Sequence, residues 1–481
     1  MEVLKFTKMK TYKIYVGGKF KETSTPLIVN SPYNNEKIAQ TFLAGKDELE
    51  EAIEKAESVK EELKHLPSYK KYEILRFISD KLQENKEYLA EVLSKESAKP
   101  LKYSLGEISR AIQTFLIAAE ESKRLPKEYI SLDWTPAGEN KEGIVKYFPI
   151  GLVAGISPFN FPMNLAVHKI APAIAAGNPI ILKPSRNTPL STLELAKIID
   201  QTDLPKGAVS ILPMDRQAGN QLVTDNRFNL LSFTGSPGVG WKMKKNSGKK
   251  KVLLELGGNA GVIVSKSADI DVAVSKNIVG SFAYSGQVCI HVQRIFIHES
   301  LFDNFIEKFI DKVKNLRYGP PEDINTDISA MIDEDNAIRV EEWVNEAVND
   351  GAKILYGGKR HGTFYEPTLI TNTKTEMKVC ALEIFGPVVT VEKFSEFEDA
   401  IFQVNNSQYG LQAGVFTNDL KEINYAFDKL EVGGVIVNDV PTFRVDNMPY
   451  GGIKNSGLGR EGVKYAIQEM MEPKLLVKDI L

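Results

Sequence analysis

Cysteine is almost absent from this 481-residue chain, which has only Cys289 and Cys380. That excludes a disulfide framework and a cysteine-rich metal site. Histidine is scarce too, five in all, and no His-x-x-x-His pair offers zinc-ligand spacing. No run approaches the ~18 uninterrupted apolar residues of a membrane span. The stretch Met1–Lys8 lacks the apolar core of a signal peptide. Neither sign of charge dominates: 60 Lys+Arg stand against 63 Asp+Glu, so bulk charge does not argue for nucleic acid or an anionic membrane as partner. Internal repeats and low-complexity segments are missing as well. These absences leave a soluble, cytoplasmic, metal-independent protein as the expectation.

What is present is a change of rhythm. The 43% hydrophobic and 26% charged content is ordinary for globular proteins, and the length calls for two or three domains. Tyr12–Lys19 alternates in polarity and ends in Gly17-Gly18, the pattern of a strand and turn. From Asp47 to about Glu121, apolar residues recur at three and four, as at Leu49, Ala52, Ile53 and Ala56, and predict a helical layer with a solvated charged face. Between Lys127 and Phe148 two short apolar runs flank a turn at Trp134–Asn140. This ribbon is either an arm that pairs with another subunit or strand, or an ordinary surface hairpin.

After Gly151, short apolar strands alternate with helices. Strands are expected at 152–156, 180–182, 209–212, 230–233 and 252–254, and helices at 162–176, 191–201, 215–224 and 237–246. Such alternation predicts parallel strands with helical crossovers, a doubly wound α/β sheet. Ligands on such sheets lie beyond the carboxyl ends of the strands, where this chain carries Ser157–Asn160, Lys183–Ser185, Thr234–Ser236 and Glu255–Gly258. The first strand is not followed by Gly-x-Gly-x-x-Gly, so the usual dinucleotide fingerprint is absent. A second α/β unit begins after Asn259. Its apolar helix is expected to end at Ser285-Gly286, three residues before Cys289. A thiol just past such a boundary can be a cleft nucleophile or a small buried hydrophobe.

Seven motifs in register decide between those readings. Pro158–Pro162, Lys183–Ser185, Phe233–Ser236, Glu255–Gly258, Gly286–Cys289, Glu383–Pro387 and Pro449–Gly452 through Ser456-Gly457 together resemble the aldehyde dehydrogenase superfamily over nearly the whole chain. The likeness is nearest to the lactaldehyde-, glycolaldehyde- and phosphonoacetaldehyde-type subgroup. It implies a Rossmann-like cofactor domain (residues 1–127, 147–255 and 445–463), an α/β catalytic domain (256–444) and a β-ribbon oligomerisation arm (128–146 and 464–481). Amphipathic edges on the ribbon and the last strand argue for a homodimer or homotetramer.

Oxidising an aldehyde requires a nucleophile that converts the carbonyl carbon into a hydride donor, and a Cys289 thiolate attacking to give a thiohemiacetal meets that need. By resemblance, the Asn160 side chain and the Cys289 N–H stabilise the oxyanion; Asn160 could instead cap the following helix. Glu255, directly after Val252-Leu253-Leu254, is the candidate base for hydrolysing the thioester, with a raised pKa expected from desolvation. CoA-acylating relatives typically lack this Glu, so a free acid is the expected product. A CoA-acylating enzyme and a catalytically silent binding relative are the alternatives.

The cofactor implied is NAD or NADP, held by Ile156, Ser157, Phe159, Lys183, Ser185, Arg186, Gly219, Phe233, Gly235, Ser236, Val239, Leu256, Gly257, Glu383 and Phe385. The helix from Pro237 presents N–H groups to the pyrophosphate. Where NAD-preferring relatives place Glu after Lys-Pro-Ser, this chain has Arg186. A guanidinium can pair with a 2′-phosphate, so NADP is expected to be preferred, unless Arg186 stacks on adenine. Arg110, Phe161, Val288, His291 and Arg444 fall in regions that line the family's substrate tunnel. A polar tunnel implies a small hydroxylated or anionic aldehyde, although Arg110 and Arg444 could equally serve in salt bridges.

Overall fold

The β-branched runs that read as strands assemble into two large sheets in the computed structural model, which describes residues 9–480. The expectation for Met1–Lys8 lies outside the described residues. In the first sheet, five parallel strands lie in the order Val209–Ile211, Ile180–Lys183, Val153–Ile156, Leu230–Thr234, Lys251–Glu255. The strand earliest in sequence is therefore central, with later strands added on one side and then the other. Strand order reverses at Val153–Ile156, which opens a crevice at the carboxyl ends. Nearly every residue of the five is buried, the expected state of a parallel sheet covered on both faces.

Helices Pro162–Ala176, Leu190–Ile199, Arg216–Thr224 and Pro237–Asn246 make the crossovers. The first is buried on every side, so its polar residues Asn164, His168 and Lys169 must find partners inside the protein. Helices Lys46–His65, Ser68–Glu84, Lys86–Ser97 and Leu101–Ser122 form the expected helical layer. Strands Pro26–Asn30 and Lys37–Phe42 pair ahead of it; they are too short and too polar to stand out in the sequence. The tail returns to this body, because Gly457–Leu458 pairs antiparallel with Leu254 and Glu255 at the sheet edge.

The second sheet has seven strands, in the order Lys353–Tyr356, Thr368–Thr371, Val388–Phe394, Arg294–His298, Gly261–Val264, Gln412–Phe416, Gly434–Val437. All its pairings are parallel except the first. The ribbon, Lys127–Ser131 with Lys141–Pro149, is not left with both edges free. The C-terminal strand Met471–Asp479 of the same chain pairs with Lys141–Pro149 along nine residues, giving a three-stranded sheet. On the two faces of this strand, Leu475, Leu476 and Val477 are each about half exposed.

Candidate active site

The crevice of the first sheet is lined by polar groups without full sets of partners. Ser157, just past Val153–Ile156, is buried and its hydroxyl has no hydrogen-bond partner. Lys183 ends the next strand. Burial and the neighbouring Arg186 charge lower its pKa to about 8, against the pull of Asp215. Arg186 is exposed and makes no ion pair among the described residues. Gly219 faces Lys183 so closely that a Cβ there would lie 2.8 Å from Lys183 Cε. Across the crevice the Glu383 carboxylate accepts from the Gly258 N–H at 3.2 Å. Burial raises its pKa to about 8, opposed by that N–H and by Arg339. A Cβ at Gly257 would collide with this carboxylate. Phe159 and Phe385 meet edge to face at 5.9 Å. An orphan hydroxyl, paired cations, a buried carboxyl and a glycine-cleared wall fit a nicotinamide dinucleotide.

The loop that carries Cys289 departs from expectation in one respect. The helix stops at Phe282, not at Ser285-Gly286. Tyr284, Ser285 and Gly286 then all take left-handed backbone angles, with φ of 51°, 53° and 68°. Two non-glycine residues in that region store strain, and the surroundings hold them there. Tyr284 donates to Ser97 O at 3.1 Å, Ser285 donates to Ser329 O at 2.7 Å, and Gln287 Oε1 accepts from Ile332 N at 2.9 Å. Gly286 is required, since a Cβ would overlap the Gly386 carbonyl. This turn delivers Cys289 half-buried beside Val288, Ile290, Leu411 and Tyr450. Its Sγ lies 3.2 Å from the Tyr450 hydroxyl. Burial pushes the thiol pKa up to about 11, and the Tyr450 bond works against that rise.

Asn160 and Glu255 converge on the same place. The Asn160 side chain does not cap the following helix, whose first turn has no side-chain cap. Instead its Nδ2 donates to Gln287 O at 2.9 Å, which ties the amide to the Cys289 loop and leaves a second N–H open. Glu255 is 6% exposed and its Oε2 has no partner. Burial and then the Glu461 carboxylate raise its pKa well above the usual carboxylate range, against Arg444, Lys169 and Arg460.

Sequence reasoning missed the buried charges behind Glu255. Lys169 Nζ donates to Ser232 Oγ at 3.1 Å and Thr234 Oγ1 at 2.8 Å, and pairs with Glu461 at 3.3 Å. Glu461 also pairs with Arg444 at 3.1 Å. Despite burial, Lys169, His168 and Arg444 hold Glu461 ionised below the usual range. Next to this chain, Asp446 accepts from Arg110 at 2.7 Å and His168 at 2.8 Å. A signal existed: His168-Lys169 interrupts the apolar run Leu165–Ala173, and ionisable residues on an all-buried helix need internal partners.

The five substrate-region residues are placed as follows. Arg110 and Arg444 both lie in inter-element salt bridges, as the alternative reading held. Arg444 is nevertheless buried with its Nε unpartnered, and its guanidinium lies 3.6 Å from the centre of the Tyr450 ring. Phe161 packs under the Lys99 ammonium, 3.7 Å from the ring centre. Val288 joins the apolar group around Cys289. His291 is enclosed; burial lowers its pKa to about 3 although the Val388 backbone opposes the shift, so it is neutral.

With this geometry in hand, comparison with known proteins is specific. The model of the Aldehyde dehydrogenase family matches residues 20–476. The chain is 44% identical over 476 residues to a 3-sulfolactaldehyde dehydrogenase of Priestia aryabhattai, covering 98% of this chain and 99% of the relative. It is 44% identical to a lactaldehyde dehydrogenase of Methanococcus aeolicus, covering 93% and 96%. Among solved structures, aldehyde dehydrogenase 21 of Physcomitrella patens in complex with the reaction product succinate superposes with TM-score 0.97 at 45% identity, covering 98% and 99%. Glyceraldehyde-3-phosphate dehydrogenase of Methanocaldococcus jannaschii complexed with NADP superposes with TM-score 0.91 at 40% identity, covering 95% and 99%.

Proposed function

The chain belongs to the aldehyde dehydrogenase family, and from that premise we propose that it oxidises a small aldehyde bearing an anionic group to the free acid, with NADP preferred. The observation that carries the substrate reading is Arg444. Its guanidinium is buried over the ring of Tyr450, whose hydroxyl meets Cys289 Sγ, and its Nε–H has no acceptor. A buried donor left unpaired costs ~1–3 kcal/mol, a cost that a carboxylate, phosphonate or sulfonate on the substrate would remove. Arg110, by contrast, is already paired with Asp446 at 2.7 Å. An apolar tunnel would suit long aliphatic or aromatic aldehydes instead.

In this reading Cys289 attacks the carbonyl carbon, while the Asn160 amide and the Cys289 N–H receive the oxyanion. Ser157, Lys183, Arg186, Ser236 and Glu383 would hold the dinucleotide, which supplies the hydride acceptor. Glu255, as carboxylate, takes a proton from the water that hydrolyses the thioester. Its burial without a partner for Oε2 supports this role, since a structural carboxylate would be fully bonded. The half-exposed apolar side chains of the Met471–Asp479 strand support association of subunits through the ribbon sheet. No helix among the described residues is long and apolar enough to cross a membrane; two free thiols suit the reducing cytoplasm.

The test is kcat/KM across aldehydes with each cofactor. Succinic semialdehyde, 3-sulfolactaldehyde and glyceraldehyde 3-phosphate form the anionic set, lactaldehyde and glycolaldehyde the hydroxylated set, and hexanal and benzaldehyde the apolar set. At least one anionic aldehyde should exceed lactaldehyde by ~10-fold, the value of one charge-assisted bond. Equal or better turnover of hexanal would overturn the substrate reading.

A further inference from the structure

Tyr450 is buried, 3% exposed, and the only side-chain hydrogen bond of its hydroxyl among the described residues is with Cys289 Sγ, at 3.2 Å. The rest of the residue is fixed independently of that bond. Its N–H donates to Glu461 O at 2.9 Å and its carbonyl accepts from Glu461 N at 2.6 Å. Its ring is covered by the Arg444 guanidinium at 3.6 Å, and Arg444 is in turn anchored by Glu461. Packing alone would be served as well by phenylalanine. A phenol whose oxygen meets nothing but the nucleophile needs a chemical reason, because an isolated buried hydroxyl is unfavourable.

We propose that Tyr450 is a further catalytic residue, donating its phenolic hydrogen bond to the Cys289 thiolate before attack and again when the thioester C–S bond breaks. The proposal rests on the reading of Cys289 as nucleophile. In the first event the thiol proton leaves to solvent and the sulfur lone pair forms the C–S bond, with the carbonyl π pair moving to oxygen. In the second, the C–S electron pair returns to sulfur as thiolate. Tyr450 keeps its own proton throughout; it lends a hydrogen bond and is not an acid.

Two features make it a fitting donor. The cation over the ring withdraws electron density, which strengthens the O–H as donor. Burial, with Cys289 and Glu255 adding to it and Arg444 opposing, raises the Tyr450 pKa well above its usual value, so the hydroxyl keeps its hydrogen at working pH. The charged groups facing Cys289 are Glu383 and Glu255, which disfavour the thiolate, and Arg444, which favours it. Between them, the hydroxyl is the one neutral side-chain donor on the sulfur among the described residues.

The experiment compares iodoacetamide alkylation of Cys289 against pH in the wild-type chain and in Tyr450→Phe, with peptide mass mapping to separate Cys289 from buried Cys380. A hydrogen bond to a charged group is worth ~1.5–3 kcal/mol, so the alkylation midpoint should rise by about one to two pH units. kcat/KM should fall ~10-fold or more. Replacing Tyr450 by 3-fluorotyrosine, a more acidic phenol, should move the midpoint down, and guards against a Phe variant that folds poorly. Superimposable pH profiles for all three proteins would overturn the role of Tyr450 and leave Cys289 as nucleophile. Full activity after complete alkylation of Cys289 would instead overturn the nucleophile itself.

Discussion

Two clusters of charge lie around Cys289, and they differ in whether the chain completes its own pairs. Behind Glu255, Lys169, Glu461 and Arg444 bond to one another, as do Arg110, Asp446 and His168. In the dinucleotide crevice, Ser157 has no partner, Arg186 has none among the described residues, and Glu383 has one backbone N–H. Pairs closed within the chain are fixed before any ligand arrives, so they hold geometry and set pKa values. Groups left open are those whose partner is to come from outside. On this criterion Glu255, Arg444 and His168 are instructive, for each sits among closed pairs yet keeps one atom open, Oε2, Nε and Nδ1 respectively.

The largest effect expected from that contrast is at Glu255. Replacement by Gln keeps shape and removes the base, so acylation should proceed while hydrolysis stalls. A burst of one equivalent of reduced cofactor should precede a steady-state rate lowered by ~100- to 10,000-fold. The pH dependence has a definite sign. A carboxyl whose folded pKa is raised is most favourable to the fold when neutral. Its contribution therefore falls as pH climbs from the unfolded value towards the folded one, while base activity rises through that folded value. The acid limb of the wild-type profile should lie above an ordinary carboxylate and vanish from the single-turnover rate of Glu255→Gln. Urea unfolding should show the variant no less stable than wild type at neutral pH. A Gln variant with an unchanged steady-state rate would remove Glu255 from the mechanism.

Closed pairs should instead be costly to break and cheap to leave alone. Lys169→Met strips the buried Glu461 of one of its two cations. Removing one partner of a buried pair costs ~3–5 kcal/mol, and the lower end applies because Arg444 remains. The urea midpoint should drop accordingly, and Lys169→Met with Glu461→Gln should recover part of the loss. If the double variant is no more stable than the single one, Lys169 and Glu461 are not the closed pair their 3.3 Å contact describes.

The same distinction explains what could be read from the sequence. The parallel strands and their crossover helices were legible because continuous β-branched runs and amphipathic helices carry their own periodicity. Helices Pro162–Ala176 and Pro237–Asn246 end where the pattern ends. The left-handed turn at Tyr284-Ser285 was not legible, since neither residue type favours positive φ and contacts from Ser97 and Ser329, far away in sequence, hold it. Cys289, Asn160 and Glu255 were visible as motifs at strand and helix ends. Lys169, Glu461 and Asp446 were not, because their roles arise from pairings across up to 336 positions, as between Arg110 and Asp446; Tyr450 stood inside a motif, but its bond to Cys289, 161 positions away, was not legible. Closure of the ribbon by the C-terminal strand is of the same kind: both edges were readable, but not that one covers the other.

The smallest effect sharpens the open side of the comparison. Arg186 and Lys183 are neighbouring cations; burial and then the Arg186 charge lower the Lys183 pKa to about 8, opposed by Asp215. A 2′-phosphate placed between them would satisfy both, whereas a ribose hydroxyl would leave Arg186 open. Arg186→Glu should therefore lower kcat/KM for NADP relative to NAD by ~10- to 100-fold, the worth of one charge-assisted pair and its reversal. The pH dependence offers an independent check. In wild type, Lys183 loses its proton as pH passes about 8, so affinity for NADP should decline above that value. Arg186→Glu removes the like charge and should carry the remaining decline to higher pH. A cofactor ratio unmoved by the substitution would mean that Arg186 stacks on adenine or faces solvent. The preference would then have to come from groups the chain has already paired, against the rule that open charges mark the ligand.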